Sequence, residues 1–295
     1  MNKKFYKSSF EDDDFPKNNT KYSNGIALFK NSSPPTILLV QKRCTYEFID
    51  FVLGKYNFTK PRLYSLFNYM TFHEKMDIMT GDFRYVWYKA FLEDVCENRK
   101  FGEIYTSYMS NNFQESIVDN MYKPCTKMNM TKRLGNEYTI KLFEQYIKFI
   151  SNEHLKNTII STSNTAEPTW EIPKGRLDGN ETPLTCAIRE LEEETNIPPH
   201  RYYLYVNQKP INYVLESNYI TYNTKYYFAM IKNDINININ YKNTEQVSEI
   251  CRAKWMSLQD IFNLDNTKSK TLYKICAVAF KRFKKIRNKK IIIEQ

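Results

Sequence analysis

Two hydrophobic periodicities divide the chain. Short apolar runs at Gly25–Phe29 and Thr36–Val40, separated by the turn-forming Asn31-Ser32-Ser33-Pro34-Pro35, predict a hairpin-like pair of strands. Strand pattern returns at Trp170-Glu171-Ile172-Pro173, then at Tyr202–Val206, Ile211–Leu215, Tyr219–Ile231 and Ile250–Met256, with an Asn-rich loop at Asn233–Asn243. Between these blocks the spacing turns helical, at Lys60–Met70, Thr71–Met79, Arg84–Glu97 and Glu137–Ile150. The last of these places Tyr138, Ile140, Leu142, Phe143, Tyr146 and Ile150 on one broad apolar face. A final helix from Ser269 to about Lys289 carries Leu272, Ile275, Cys276, Val278, Ala279 and Phe283 inward. The pattern predicts a mixed α/β core, 21–55 and 166–295, interrupted by an inserted helical domain at 56–165 with Ser161–Thr165 as exit linker. Residues 1–20, polar and bearing Glu11-Asp12-Asp13-Asp14, read as a mobile arm.

One further helix is marked by its ends. Thr182 is a good N-cap and Pro183 suits the first helical position. Asn196 can close the helix in the left-handed conformation, and Pro198-Pro199 stops it continuing. Within Pro183–Thr195, Leu184, Ala187, Ile188 and Leu191 form an apolar stripe. Glu190, Glu193 and Glu194, at i, i+3 and i+4, put three carboxylates on another side of the same turns. Like charges at this spacing cost about 0.2–0.5 kcal/mol per pair, so a cation is expected among them. A hard divalent ion, Mg2+ or Mn2+, fits all-oxygen ligands, and Arg189 is placed to orient a carboxylate.

Composition narrows the partners. The chain has 295 residues, 42% of them apolar, with 23 Tyr and 19 Phe, so it is globular and long enough for a large core. Net charge is +10 although the carboxylate helix is acidic, so the basic excess lies elsewhere and implies a polyanionic substrate. Part of it is Lys281, Arg282, Lys284 and Lys285, in a ten-residue stretch that ends at Lys290 and reads as a phosphate-binding stripe. Six scattered cysteines without a CxxC argue against zinc and a disulfide framework, and for a reducing, cytoplasmic compartment. The N-terminus shows no secretory pattern, and no apolar run is long enough to span or insert into a membrane.

The positions Gly175, Glu181, Arg189, Glu190, Glu193, Glu194 and Ile197 resemble the Nudix box, with Asn196 where a glycine is usual. Pro173-Lys174-Gly175-Arg176 at its entrance, Ile37 to Arg43, Tyr46-Glu47-Phe48, Phe51-Val52, Glu249-Ile250 and Trp255 are similar to mRNA-decapping Nudix enzymes of large cytoplasmic DNA viruses. The likeness runs from about Tyr22 to the C-terminus and is weakest in the insertion. It implies the Nudix fold, an α/β/α sandwich with a mixed sheet, and cleavage of the 5′ cap of RNA to 7-methyl-GDP and 5′-monophosphate RNA with Mg2+ or Mn2+. Carried onto this chain, the resemblance makes Glu190 the catalytic base or nucleophile and a metal residue, with Glu194, Glu193 and, more weakly, Glu181. The family's further acidic residue after the box is Glu216 or Glu249. In the family's poxvirus members two aromatics sandwich the methylated guanine, and Tyr46 with Tyr226 or Tyr227 matches them. Lys174 and Arg176 could hold phosphates, and the insertion could bind capped RNA. The alternative is a Nudix hydrolase of a small anionic metabolite, such as a diphosphoinositol polyphosphate or a nucleoside diphosphate derivative. A non-catalytic RNA-binding module is disfavoured because the repulsive glutamates are intact. Nothing in the residues fixes the oligomeric state.

Overall fold

The computed structural model describes residues 19–111, 135–217, 220–264 and 269–288. The arm expected at 1–20 lies outside them except for Asn19 and Thr20, which begin the first strand. That strand, β1 (Asn19–Lys30), meets β2 (Thr36–Lys42) only at the hairpin end, through Phe29↔Ile37 and Lys30↔Thr36. Beyond this the two diverge. β1 pairs along its length, in parallel, with β7 (Ile220–Ile231), while β2 pairs antiparallel with β8 (Ile250–Met256).

The wedge that opens between β1 and β2 is filled by Trp170–Gly175. β3 (Trp170–Glu171) bonds to β2 and β4 (Lys174–Gly175) bonds to β1. The approach is close enough to dictate a glycine, since a Cβ on Gly25 would lie 2.2 Å from the Pro173 carbonyl oxygen. On the far side of β7 lie β5 (Tyr202–Leu204) and β6 (Ile211–Ser217), completing a mixed eight-stranded sheet.

Strand alternation gives the sheet two apolar faces. Ile26, Leu28, Leu38, Ala229 and Ile231 pack with Ala187, Leu191 and Ile197, which seats the carboxylate helix (Pro183–Thr195) on one side. Ala27, Phe29, Ile37, Leu39, Tyr226 and Phe228 pack with Ile275, Cys276, Ala279, Phe283 and Ile286 of the last helix (Ser269–Asn288) on the other. Phe29 and Phe283 stack with ring centroids 4.1 Å apart. Val278, expected to face inward, is 44% exposed because it is turned off the stripe that Ile275, Ala279 and Phe283 share. Among the described residues no helix is long and apolar enough to cross a membrane.

The inserted helices are α1 (Tyr46–Val52), α2 (Lys60–Asn68), α3 (Phe72–Met79), α4 (Phe83–Phe91), α5 (Arg99–Asn111), α6 (Asn136–Ile150) and α7 (Glu153–Ile160). They enclose a core of their own, which begins at Phe48 and so takes in Tyr46–Val52, placed with the α/β core by the sequence pattern. The helix expected over Arg84–Glu97 breaks at Leu92, which is left-handed at φ 52°, before a 3-10 turn at Val95–Glu97. The break has a cause: Arg84 folds back to grip the Asp94 carboxylate at 2.8 and 2.6 Å, which an unbroken helix could not allow at that separation. Tyr138, assigned to the buried face of α6, is exposed, and Phe149 is buried instead.

Candidate active site

The carboxylate helix is held at both ends as its local sequence dictates. Thr182 Oγ1 accepts from the Thr185 N–H at 3.2 Å, and Asn196 closes the helix at φ 55°. Asn196 does more than a glycine could. Its amide donates to Gln246 Oε1, its Oδ1 accepts from Asn243 at 2.8 Å, and Gln246 donates to the Glu194 carbonyl at 2.9 Å. The box helix is thereby tied to a short helix, Thr244–Glu249, at whose end Glu249 stands.

Two cations divide the carboxylates between them. Arg189 makes a two-pronged contact to Glu181 at 3.1 and 2.7 Å, and its Nη1 reaches Glu190 Oε1 and Glu193 Oε2, each at 2.8 Å. Lys42, at the end of β2, places its ammonium 2.7 Å from Glu194, 3.1 Å from Glu249 and 3.3 Å from Glu171. The other Glu171 oxygen accepts from Lys174 Nζ at 2.6 Å and from the Tyr46 hydroxyl at 3.0 Å.

The charges follow from this arrangement. Arg189 holds the Glu181 carboxyl down at about 2. Burial raises Glu190 and Glu193, with Arg189 opposing it in both. Glu194 is pushed up to about 7, because burial and the nearby Glu171 and Glu249 outweigh Lys42. Burial would raise Glu171 too, but Lys174 and Lys42 together hold it well below the usual carboxylate range. Lys42 itself is raised: three carboxylates overcome its burial.

Gly175 explains itself at this site. A Cβ there would lie 2.0 Å from the Glu190 carboxyl carbon, so the absence of a side chain is what lets that carboxylate lie flat against β4.

Of the residues anticipated from sequence, Glu181, Glu190, Glu193 and Glu194 gather here, and Glu249 joins them through Lys42. Glu216 does not: it lies exposed on β6 opposite Thr221, with no contact to the group among the described residues. Lys174 lies within the group, and Arg176 is exposed beside it, its carbonyl accepting from Arg189 at 2.9 Å. Tyr46 presents a 46% exposed ring while its hydroxyl is buried against Glu171, which helps raise it to about 12. Tyr226 is a correction: at 3% exposed, its ring is packed in the core under the last helix and has no free face. Tyr227 is half-buried on the opposite, box-helix face. Lys281, Arg282, Lys284 and Lys285 are exposed on the last helix, across the sheet from the carboxylates, with Arg282 donating to the Lys209 carbonyl at 3.1 Å. Lys42 and Glu171 were not singled out from sequence. The signal for Glu171 was a charge inside the apolar run Trp170–Pro173; for Lys42 there was none beyond its place at a strand end.

The donor set suits a hard divalent ion, since Glu190, Glu193, Glu194 and Glu249 offer oxygens alone. Among the described residues no three acid, His or Cys side chains stand in a metal-holding arrangement; the carboxylates here are gathered around the Lys42 ammonium and the Arg189 guanidinium.

Comparison with known proteins bears on the same residues. A family model described as the NUDIX domain matches residues 149–275. This chain carries a Nudix domain. It is a Nudix hydrolase, of the class that acts on phosphoric anhydrides, with the sheet's first two strands placed before the insertion. It is 27% identical over 252 residues to the mRNA-decapping protein g5R of African swine fever virus (isolate Warthog/Namibia/Wart80/1980), covering 82% of this chain and 86% of that one. It is 54% identical over 33 residues to an RNA pyrophosphohydrolase of Zymomonas mobilis, 11% of this chain and 21% of that protein. A C. elegans Ap4A hydrolase structure aligns over 88% of this chain and 98% of its own, at 12% identity and a TM-score of 0.37.

Proposed function

We propose that this Nudix hydrolase removes the 5′ cap of RNA in the cytoplasm, releasing 7-methyl-GDP and leaving a 5′-monophosphate end, and so promotes mRNA turnover. The observation that carries the reading is the likeness, over most of both chains, to a protein named for mRNA decapping, on a chain whose carboxylate face is complete.

Each residue then has a part. Glu190 is the base: buried against Gly175 and steered by Arg189, its carboxylate has a raised proton affinity suited to taking a proton from an attacking water. Glu190, Glu193, Glu194 and Glu249 would hold Mg2+ or Mn2+, whose charge would offset the negative charge building on the phosphate oxygens. Lys174 and Arg176 hold the phosphate bridge from the β4 side. The exposed ring of Tyr46 takes the methylated guanine, a cation with a π face, for which stacking is worth about 1–3 kcal/mol. The Tyr46 hydroxyl is fixed on Glu171, so the ring is held at one angle. The inserted helices bind the RNA, and Lys281, Lys284 and Lys285 give a distal contact on the far face of the sheet.

The test is release of label from RNA capped on its phosphates, in Mn2+ and in Mg2+, with Glu190→Gln beside the native chain. The expected outcome is 7-methyl-GDP as product and a loss of about 10^2–10^4 in kcat for the variant, with its melting temperature kept. Turnover of a small diphosphate in place of capped RNA, or near-native decapping by Glu190→Gln, would overturn the assignment.

A further inference from the structure

A ribbon of strands leads away from the carboxylates. β1, β6 and β7 run on past the core as a three-stranded ribbon, in which Lys21 pairs with Tyr222, Ser23 with Thr224 and Gly25 with Tyr226. These positions alternate onto one face. At its inner end the Tyr226 hydroxyl lies within the electrostatic reach of Lys174, Glu171 and Tyr46. Midway, the Ser23 and Thr224 hydroxyls bond at 2.8 Å and give a polar floor. At its outer end the Lys21 ammonium sits 5.7 Å above the centre of the Tyr222 ring.

Across from this face stands the first inserted helix. Its Tyr46 reaches Glu171, and one turn on come Asp50 and then Lys55, which pair with each other at 2.9 Å. Strand pairing brings positive charge together here: β4 pairs Gly175 with Asn24 antiparallel, so the chain at Arg176 runs on beside Ser23, two residues from Lys21. Burial lowers the Lys21 ammonium's pKa, and Arg176 and Lys55 lower it further, with only Asp50 opposing them. Arg176 follows directly on β4, is exposed, and makes no ion pair among the described residues. Like charges left this close without enough carboxylate to balance them mark a place where anionic groups bind.

We propose that this cleft, between the first inserted helix and the ribbon, carries the RNA chain downstream of the bond that is cut. Lys21, Arg176 and Lys55 meet its phosphates and Tyr222 offers a base a stacking face. The proposal rests on the decapping reading and extends it. From Gly25 to Lys21 the strand advances about 13 Å, so the outer cations lie beyond what a cap alone would touch. A linear row of cations over an aromatic floor suits a single strand better than a compact polyphosphate, which would need its charges matched at one point.

The test uses the full chain with Lys21→Gln and Tyr222→Leu. Binding of an uncapped, fluorescent RNA of about twenty nucleotides is followed by anisotropy across salt, and Lys21→Gln should flatten the salt slope by about 0.7 for one lost single-strand phosphate contact. Tyr222→Leu should weaken binding about tenfold with the slope kept, as loss of one stacked base does. On capped RNA, kcat/KM of both variants should fall further as the RNA lengthens, and fall least on the cap dinucleotide. Native slope and affinity in both variants, or equal losses on dinucleotide and RNA, would refute the cleft. Native RNA binding that responds to these changes, with no 7-methyl-GDP released by the unaltered chain, would refute decapping and leave the cleft standing.

Discussion

Replacing Gly175 with alanine separates what this glycine does for folding from what it does for chemistry. The backbone at Gly175 is not left-handed, so alanine fits the strand and, by stiffening the unfolded chain, should add about 0.4–1 kcal/mol. The new methyl, however, would lie 2.0 Å from the Glu190 carboxyl carbon and 2.0 and 2.1 Å from its oxygens. Ordinary contact begins at about 3.4 Å, so the carboxylate must move by more than an ångström. It is the free end of a flexible side chain and can move, at the expense of the 2.8 Å bond to Arg189. A displacement of that size at a reacting group costs about 10^2 in rate. The prediction is therefore a melting temperature equal to or slightly above the native one, and kcat/KM for capped RNA down about a hundredfold. Thermal unfolding and label release measure the two. Activity within threefold of native would show that Glu190 is not held where catalysis needs it; a large fall in melting temperature would show the glycine to be structural after all.

Three further outcomes follow from the charges. Lys42→Met leaves Glu194 and Glu171 buried beside each other without their shared cation, and should lower unfolding free energy by about 3–5 kcal/mol in urea; a loss below about 1 kcal/mol would contradict the reading. In chelator, Glu194 is raised in the folded state, so the stability it contributes is full below its ordinary value of 4.5 and is lost as pH rises through about 7. Glu194→Gln should remove about 3 kcal/mol of that slope, and an unchanged stability profile between these pH values would refute it. Asn196→Gly, which restores the usual residue of the Nudix box, should destabilise this chain by about 1–2 kcal/mol through the bonds lost to Gln246 and Asn243, readable as a lower melting temperature.

What could be read from sequence was what is decided locally. The ends of the box helix depend on Thr182, Pro183 and Asn196 alone, and each behaves as its residue type dictates. The two strands that open the sheet and the carboxylate spacing are equally local. The helix expected to Glu97 failed because Asp94 pairs backward with Arg84, a tertiary contact that overrides propensity. Alternation on β7 puts Tyr226 and Tyr227 on opposite faces, but only the docking of the last helix buries Tyr226. Lys42 was illegible for the same reason at longer range, since its partners Glu194 and Glu249 lie 152 and 207 residues away.

The divergence of β1 from β2 accounts for where the insertion had to be. Because β2 leaves the hairpin to pair with β8, its end at Lys42 is carried to the carboxylate helix, and the chain that follows it starts beside the site. Arg43 fixes that departure by donating to the Lys89 and Ala90 carbonyls of the insertion and to the Ser248 carbonyl next to Glu249. One arginine thus ties the helical domain to the element that bears a metal candidate, and Tyr46, three residues on, enters the site itself. Here the insertion's first turn stands against the carboxylates, with the Tyr46 hydroxyl donating to Glu171, so the inserted helices begin at the chemistry and not at a remote loop.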